Sequence, residues 1–103
     1  MKKIIEGKMY NTETAVCLGS YDNGCAYTDF RFCEESLYRT KKGAFFIAGR
    51  GGPMTHYARS CGDNNWCGGK DLRAVTEQEA RDWMEQHCDA ANYIAAFGQP
   101  EEA

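Results

Sequence analysis

The sequence predicts an α+β fold: a small antiparallel β-sheet built around a central hairpin, with C-terminal helices packed on one face. Three observations carry this reading. Residues 36–40 and 44–49 form two strand-like segments about the polar turn Lys41-Lys42-Gly43, where a glycine is free to take the positive φ that a three-residue hairpin loop needs. Thr76-Glu77-Gln78-Glu79 is a capping box, in which threonine and glutamate side chains satisfy each other's free backbone N–H groups. Ala80, Trp83, Met84, His87 and Cys88 then fall on one helical face. Strands followed by a terminal helical pair are the pattern of a sheet with helices on one side.

The elements follow in order. Residues 3–6 read as a short edge strand, with Gly7-Lys8 turning into Met9-Tyr10. Asn11 or Thr12 is placed to cap a short helix over 14–18 that Gly19 ends, although β-branched Thr14 and Val16 make a strand the competitor. Asp22-Asn23-Gly24 is a turn signal. Phe30-Arg31-Phe32 alternates, and Cys33-Glu34-Glu35 interrupts the pattern before the hairpin begins. The run Phe45-Phe46-Ile47 is too apolar to remain in water. Residues 49–69 are loop-rich, with one or two helical turns expected at 55–59 and a last strand at 70–75. Glu77 and Arg81 make an i,i+4 pair on the capped helix. Asp89 caps a second helix whose apolar face is Ala90, Tyr93, Ile94 and Phe97, and Gly98 and Pro100 stop it. Residues 1–103 read as one domain, with 99–103 a loose acidic tail.

Composition narrows the function classes. At 103 residues, 43% hydrophobic and 13% aromatic, the chain carries enough apolar side chain for a core and too much for disorder. A domain of this size buries only roughly 60–70% of its unfolded surface, so a metal, a dimer interface or a partner is a natural supplement. Twelve Lys and Arg against fifteen Asp and Glu give a net charge of −3. That balance lacks the basic footprint of a nucleic-acid binder, so no direct nucleic-acid binding is expected. The N-terminus opens like a signal peptide, but Ile4-Ile5 is followed at once by Glu6, short of an apolar run of about seven residues. No run reaches the ~20 apolar residues of a membrane span. The expectation is a soluble, cytoplasmic chain with no membrane partner.

Six cysteines, Cys17, Cys25, Cys33, Cys61, Cys67 and Cys88, invite a disulfide framework, but a cytosolic chain normally keeps thiols reduced. Zinc is the other use of such residues. The densest ligand neighbourhood is His56, Cys61 and Cys67, with His87-Cys88 reachable by folding, yet no Cys-x-x-Cys pair occurs. Small buried core thiols are the plainer reading. A cysteine nucleophile needs a base, and His56 or His87 beside Cys61 or Cys67 is the available pairing. His87 lies on the apolar helix face, where a packed histidine is the commoner case.

The remaining motifs are weaker. Gly49-Arg50-Gly51-Gly52 lacks the Lys-Ser/Thr that completes a phosphate-binding loop, and Pro53 suits a turn. Glu34 and Glu35 are adjacent, so in a strand they point to opposite faces; one is solvated while its neighbour ties down Arg31, Arg39 or Arg50. Asp63-Asn64-Asn65 before Trp66 is oxygen-rich but lacks the later glutamate of a calcium loop. Tyr10, Tyr21, Tyr27, Tyr57 and Trp66 sit in or beside loops, where such rings make efficient contacts. Tyr57 reads as a core residue, and Trp66 fits a binding edge as well as an ordinary loop.

Short motifs stand in this order along the chain: Gly7-Lys8, Tyr10-Asn11-Thr12-Glu13-Thr14-Ala15, Asp29-Phe30, Glu34-Glu35, Leu37-Tyr38, Gly43 with Phe45-Phe46, Gly51-Gly52-Pro53, Tyr57-Ala58, Gly68-Gly69, Thr76 with Glu79-Ala80 and Trp83, and Phe97-Gly98. Over residues 2–98 these resemble a family of small proteins from phages and integrative elements of Gram-positive bacteria. Some proteins of that setting are similar to anti-CRISPR inhibitors of the type II effector nuclease Cas9. The resemblance implies stoichiometric binding to a Cas9-type protein partner in the host cytoplasm, as a monomer or homodimer, with no catalytic residue. An inhibitor of this kind offers acidic and aromatic loop residues to a basic groove; Asp22, Asp29, Glu34, Glu35, Asp63 and Trp66 are the expected contacts. The alternative is a small zinc-binding or thiol-dependent cytosolic protein, with Cys61, Cys67 and His56 as metal ligands.

Overall fold

A computed structural model describes residues 1–103. The central hairpin is the structural middle of a four-stranded antiparallel sheet. Its strands are β4 (Cys33–Arg39) and β5 (Phe45–Gly51), with Leu37 opposite Ile47 and Tyr38 opposite Phe46. The turn falls where the sequence places it: Gly43 has φ 88°, and the Thr40 hydroxyl accepts from the Ala44 amide at 3.0 Å. Strand β3 (Val16–Asp22) pairs with the outer edge of β4, and β8 (Gly69–Val75) with the outer edge of β5, giving the order β3-β4-β5-β8. The predicted α+β class is the one observed.

Each face of this sheet has its own cover. Helices α1 (Glu77–His87) and α2 (Ala90–Phe97) lie on one face, where Ala80, Trp83 and Met84 bury against Leu37, Phe45 and Ile47. Both halves of the Thr76–Glu79 capping box form, and Asp89 caps α2 through the Asn92 amide. The Arg81 guanidinium joins the helices by donating to the Tyr93 hydroxyl at 3.2 Å while lying 4.7 Å from the Phe97 ring centroid. The opposite face is covered by the N-terminal hairpin of β1 (Lys2–Ile5) and β2 (Lys8–Asn11). Tyr10 meets Phe46 edge-on at 5.6 Å, and Leu72 closes this second core. Lys3 ties the hairpin to β8 through Asp71 at 2.8 Å. Fully burying a side chain such as Phe46 or Leu37 stabilises by about 1.5–3 kcal/mol.

Four expectations are corrected. Residues 16–22 form strand β3 instead of a helix over 14–18. Val16 is β-branched, and residues 16–22 pair with β4, Tyr21 opposite Glu35; a five-residue helix has too little internal hydrogen bonding to compete. Phe30-Arg31-Phe32 is a turn, closed by the Phe32 amide donating to the Asp29 carbonyl at 3.1 Å. Cys33-Glu34-Glu35 opens strand β4, each glutamate finding a partner on its own face. Residues 55–58 make a hydrogen-bonded turn, the Ala58 amide donating to the Thr55 carbonyl at 3.0 Å, and no helix; a second small hairpin, β6 (Arg59–Gly62) with β7 (Asn65–Cys67), then projects between β5 and β8. No helix is long and apolar enough to cross a membrane.

Candidate functional site

The two cores leave the Gly49–Gly51 end of the sheet to be covered by loops, and the polar chemistry gathers there. Glu35 points to the helix face of β4, and its carboxylate is only 7% exposed. The Tyr57 hydroxyl donates to Oε2 at 2.5 Å, Trp83 Nε1 donates to Oε1 at 3.1 Å, and Arg73 Nη1 donates to Oε2 at 3.3 Å. His56 Nε2 stands 3.5 Å from the same oxygen. Burial alone would raise the Glu35 pKa, but the bonds from Tyr57 and Trp83 and the charge of Arg73 outweigh it and hold the carboxyl below its ordinary range. Burial, and then the bond to Glu35, push the Tyr57 phenol far above its usual value. The pair is thus a fixed carboxylate and a fixed phenol. No buried side-chain N or O atom lacks a hydrogen-bond partner.

Tyr57 reaches Glu35 because position 49 is glycine. A Cβ there would overlap the Tyr57 hydroxyl and come within 3.0 Å of the Glu34 carbonyl. Gly49 pairs directly with Glu35 across the ladder, so the glycine opens the space through which the phenol enters.

Beyond this buried cluster lies an open cleft of about 680 Å3 between the 27–32 turn, the end of β5 and the start of β8. Tyr27, Phe30, Arg50, Arg59 and Lys70 line it. The Tyr27 and Phe30 rings are 69% and 65% exposed. Arg50 pairs with Glu34 and rests 4.8 Å from the Tyr27 centroid. Arg59 donates to the Lys70 carbonyl, which fixes the base of the β6–β7 hairpin.

The expected contact residues divide between exposed and committed positions. Glu35 is corrected: its carboxylate is enclosed by Tyr57, Trp83 and Arg73 and is withdrawn from any surface. Glu34 faces the other way onto Arg50, as its position predicts. Asp29 accepts from the Arg31 amide at 2.8 Å, which lowers its pKa. Asp22 is exposed at the end of β3 and accepts from the Gly24 amide. Asp63 lies at the tip of the β6–β7 hairpin, and Trp66 is 63% exposed on β7.

The expected zinc set is not assembled. Cys61 and Cys67 are bonded to each other as a disulfide, so neither sulfur is a thiolate able to bind zinc. His56 is turned toward Glu35 and Tyr57 instead. Among the free thiols, burial and then the charges of Glu35 and Glu34 push Cys33 up, and burial and then Asp89 do the same for Cys88. Both shifts reduce the nucleophilic thiolate. His87 is packed in the core margin, its ring tilted against Tyr21 with centroids 3.9 Å apart.

The sequence reading missed Arg73 and Trp83 as partners of Glu35, and Arg50, Arg59 and Lys70 as neighbours in one cleft. The cleft had no linear signal, since its cations come from three separate strands. In comparisons with known proteins, no family model, no curated protein and no solved structure matches this chain.

Proposed function

We propose that this chain is a binding protein that acts stoichiometrically on a protein partner, without turnover. One contrast carries the reading. The ionisable groups of the buried cluster, Glu35 and Tyr57, are consumed by internal hydrogen bonds, whereas Tyr27, Phe30 and Trp66 stand largely in solvent. Groups poised for chemistry are normally left with a reactive atom open to substrate. Large rings left in water are the usual anchors of an interface.

The partner follows from the resemblance over residues 2–98: a Cas9-type effector nuclease. Its acidic contacts reduce to the accessible Asp22 and Asp63, with Trp66 as the aromatic anchor. The test is a DNA-cleavage assay with purified protein added to Cas9–guide complexes of several types at equimolar and higher ratios. The expected result is a titration that ends at a fixed molar ratio and is weakened by Trp66→Ala. Undiminished cleavage across all types removes the Cas9 partner. Inhibition that grows with incubation time at substoichiometric protein removes the binding mode itself.

A further inference from the structure

We propose that the cleft between Tyr27 and Lys70 binds a nucleoside phosphate, the base against Phe30 and Tyr27 and the phosphate against Arg59 and Lys70. The first support is charge. Three cations, Arg50, Arg59 and Lys70, line the cleft against one acid, Asp29, in a chain whose net charge is −3. The whole-chain balance that speaks against a nucleic-acid footprint averages over this reversal.

The second support is how those charges are spent. Arg50 is matched by Glu34 and laid over the Tyr27 and Phe32 rings, so it stiffens the aromatic wall. Asp29 is turned onto the Arg31 amide and side chain. Lys70 makes no side-chain ion pair, and Arg59 spends only Nη2, on the Lys70 carbonyl. Their remaining donors suit the oxygens of a phosphate.

The third support is shape. The volume of about 680 Å3 lies inside the roughly 300–1,000 Å3 of small-molecule sites. An acidic peptide would use the cations and leave two flat rings in water. A nucleoside phosphate uses both, since base–aromatic stacking adds to phosphate contacts. The cleft glycines answer to chain packing and not to a ligand: a Cβ at Gly52 would strike the Phe30 carbonyl and one at Gly68 the Gly51 carbonyl.

The inference draws on Tyr27 and Phe30, two of the exposed rings cited for a protein partner, but needs no protein partner, and the ligand titration tests it apart from the cleavage assay. The experiment is titration of the wild-type chain at low salt with adenosine monophosphate, oligothymidylate and hexaglutamate, followed by calorimetry and by backbone amide shifts. Saturable binding of either phosphate ligand is expected, with shifts confined to the residues of the 27–32 turn, Arg59 and Lys70. Phe30→Ala should weaken it by about 5- to 100-fold. Lys70→Glu should lower the slope of log affinity against log salt for the oligonucleotide by about 0.7 or more. Mononucleotide binding as tight as the oligonucleotide identifies the free nucleotide as the source; tighter oligonucleotide binding identifies a single strand. The proposal is overturned by no saturable binding of either phosphate ligand at millimolar concentration, by hexaglutamate binding equally well, or by shifts elsewhere on the surface. The wild-type shift map decides the matter even if a variant misfolds.

Discussion

Trp83 Nε1 donates to Glu35 Oε1 at 3.1 Å, and this bond crosses from helix α1 to strand β4 over 48 residues of chain. It links the helix-covered core, where Trp83 is only 6% exposed, to the loop-covered end of the sheet. Replacing Trp83 by Phe keeps an aromatic ring but strips one donor from a buried carboxylate. The expected cost is about 1–3 kcal/mol, because an unpaired buried acceptor loses its hydration without compensation. Urea denaturation should show a lower midpoint at an unchanged slope. An unchanged midpoint would mean that water replaces the indole at Glu35.

The same cluster gives stability two pH limbs of opposite sign. Glu35 has a folded pKa below its unfolded value, so in acid the unfolded chain binds the extra proton first. Its contribution is present above about pH 4.5 and fades as pH falls toward and through the folded pKa. Tyr57 has a folded pKa above its unfolded value, so in alkali the unfolded chain releases its proton first. Its contribution is complete below about pH 10 and is lost as pH rises beyond that. Glu35→Gln should therefore make the acid limb shallower without removing it, because Asp71, through its bond from Lys3, also titrates low. Tyr57→Phe should make the alkaline limb shallower without removing it, because Cys33, Cys88 and Tyr38 also titrate high. Thermal melts from about pH 2 to about pH 11 bracket the ordinary carboxyl and phenol titrations and would read both limbs. Parallel profiles for wild type and both variants would contradict the assignment.

Gly49 gives a test of packing alone. Its Cβ-sized space is filled by the Tyr57 hydroxyl, with the Glu34 main chain behind it, so Gly49→Ala forces the phenol away from Glu35. Overpacking of this kind costs about 1–3 kcal/mol, and the loss of the Tyr57 bond adds to it. Combining Gly49→Ala with Tyr57→Phe should cost less than the sum of the two single changes, since both disrupt one contact. Strict additivity in a double-mutant cycle would show that the alanine strains something else.

Much of the fold was readable because local and tertiary preferences agree where the core is densest. The hairpin turn at Lys41-Lys42-Gly43, the Thr76–Glu79 box and the apolar face of α1 each satisfy a short-range rule, and each appears as expected. Residues 16–22 were less legible because the decisive term is a pairing with β4 that lies far along the chain. Glu34 and Glu35 looked like an interruption for a related reason. A charged pair weakens a strand pattern until Arg50 and Trp83 are brought beside it, and nothing local announces either partner. The β6–β7 hairpin carried a usable signal in Gly62-Asp63-Asn64-Asn65, where Asn64 takes φ 59°, as asparagine does more readily than most residues. The cleft was beyond linear reading: Arg50, Arg59 and Lys70 converge only once β5, β6 and β8 are placed.

The Cys61–Cys67 bond closes that small hairpin, and neither cysteine belongs to either core. All residues of β6 and β7 are exposed, so the hairpin has little apolar burial of its own and depends on its crosslink. Loop-closure entropy for so short a ring predicts a stabilisation of about 2 kcal/mol relative to the reduced segment. Because the four-stranded sheet and its two covers make no use of this bond, the loss should be local. Mild reduction is expected to raise amide exchange across residues 59–67 and to shift the emission of exposed Trp66, while amides of β4 and β5 keep their protection. The Cys61→Ser, Cys67→Ser double variant should reproduce the reduced pattern. If protection instead fell uniformly across the sheet, the hairpin would belong to the same cooperative unit as the core.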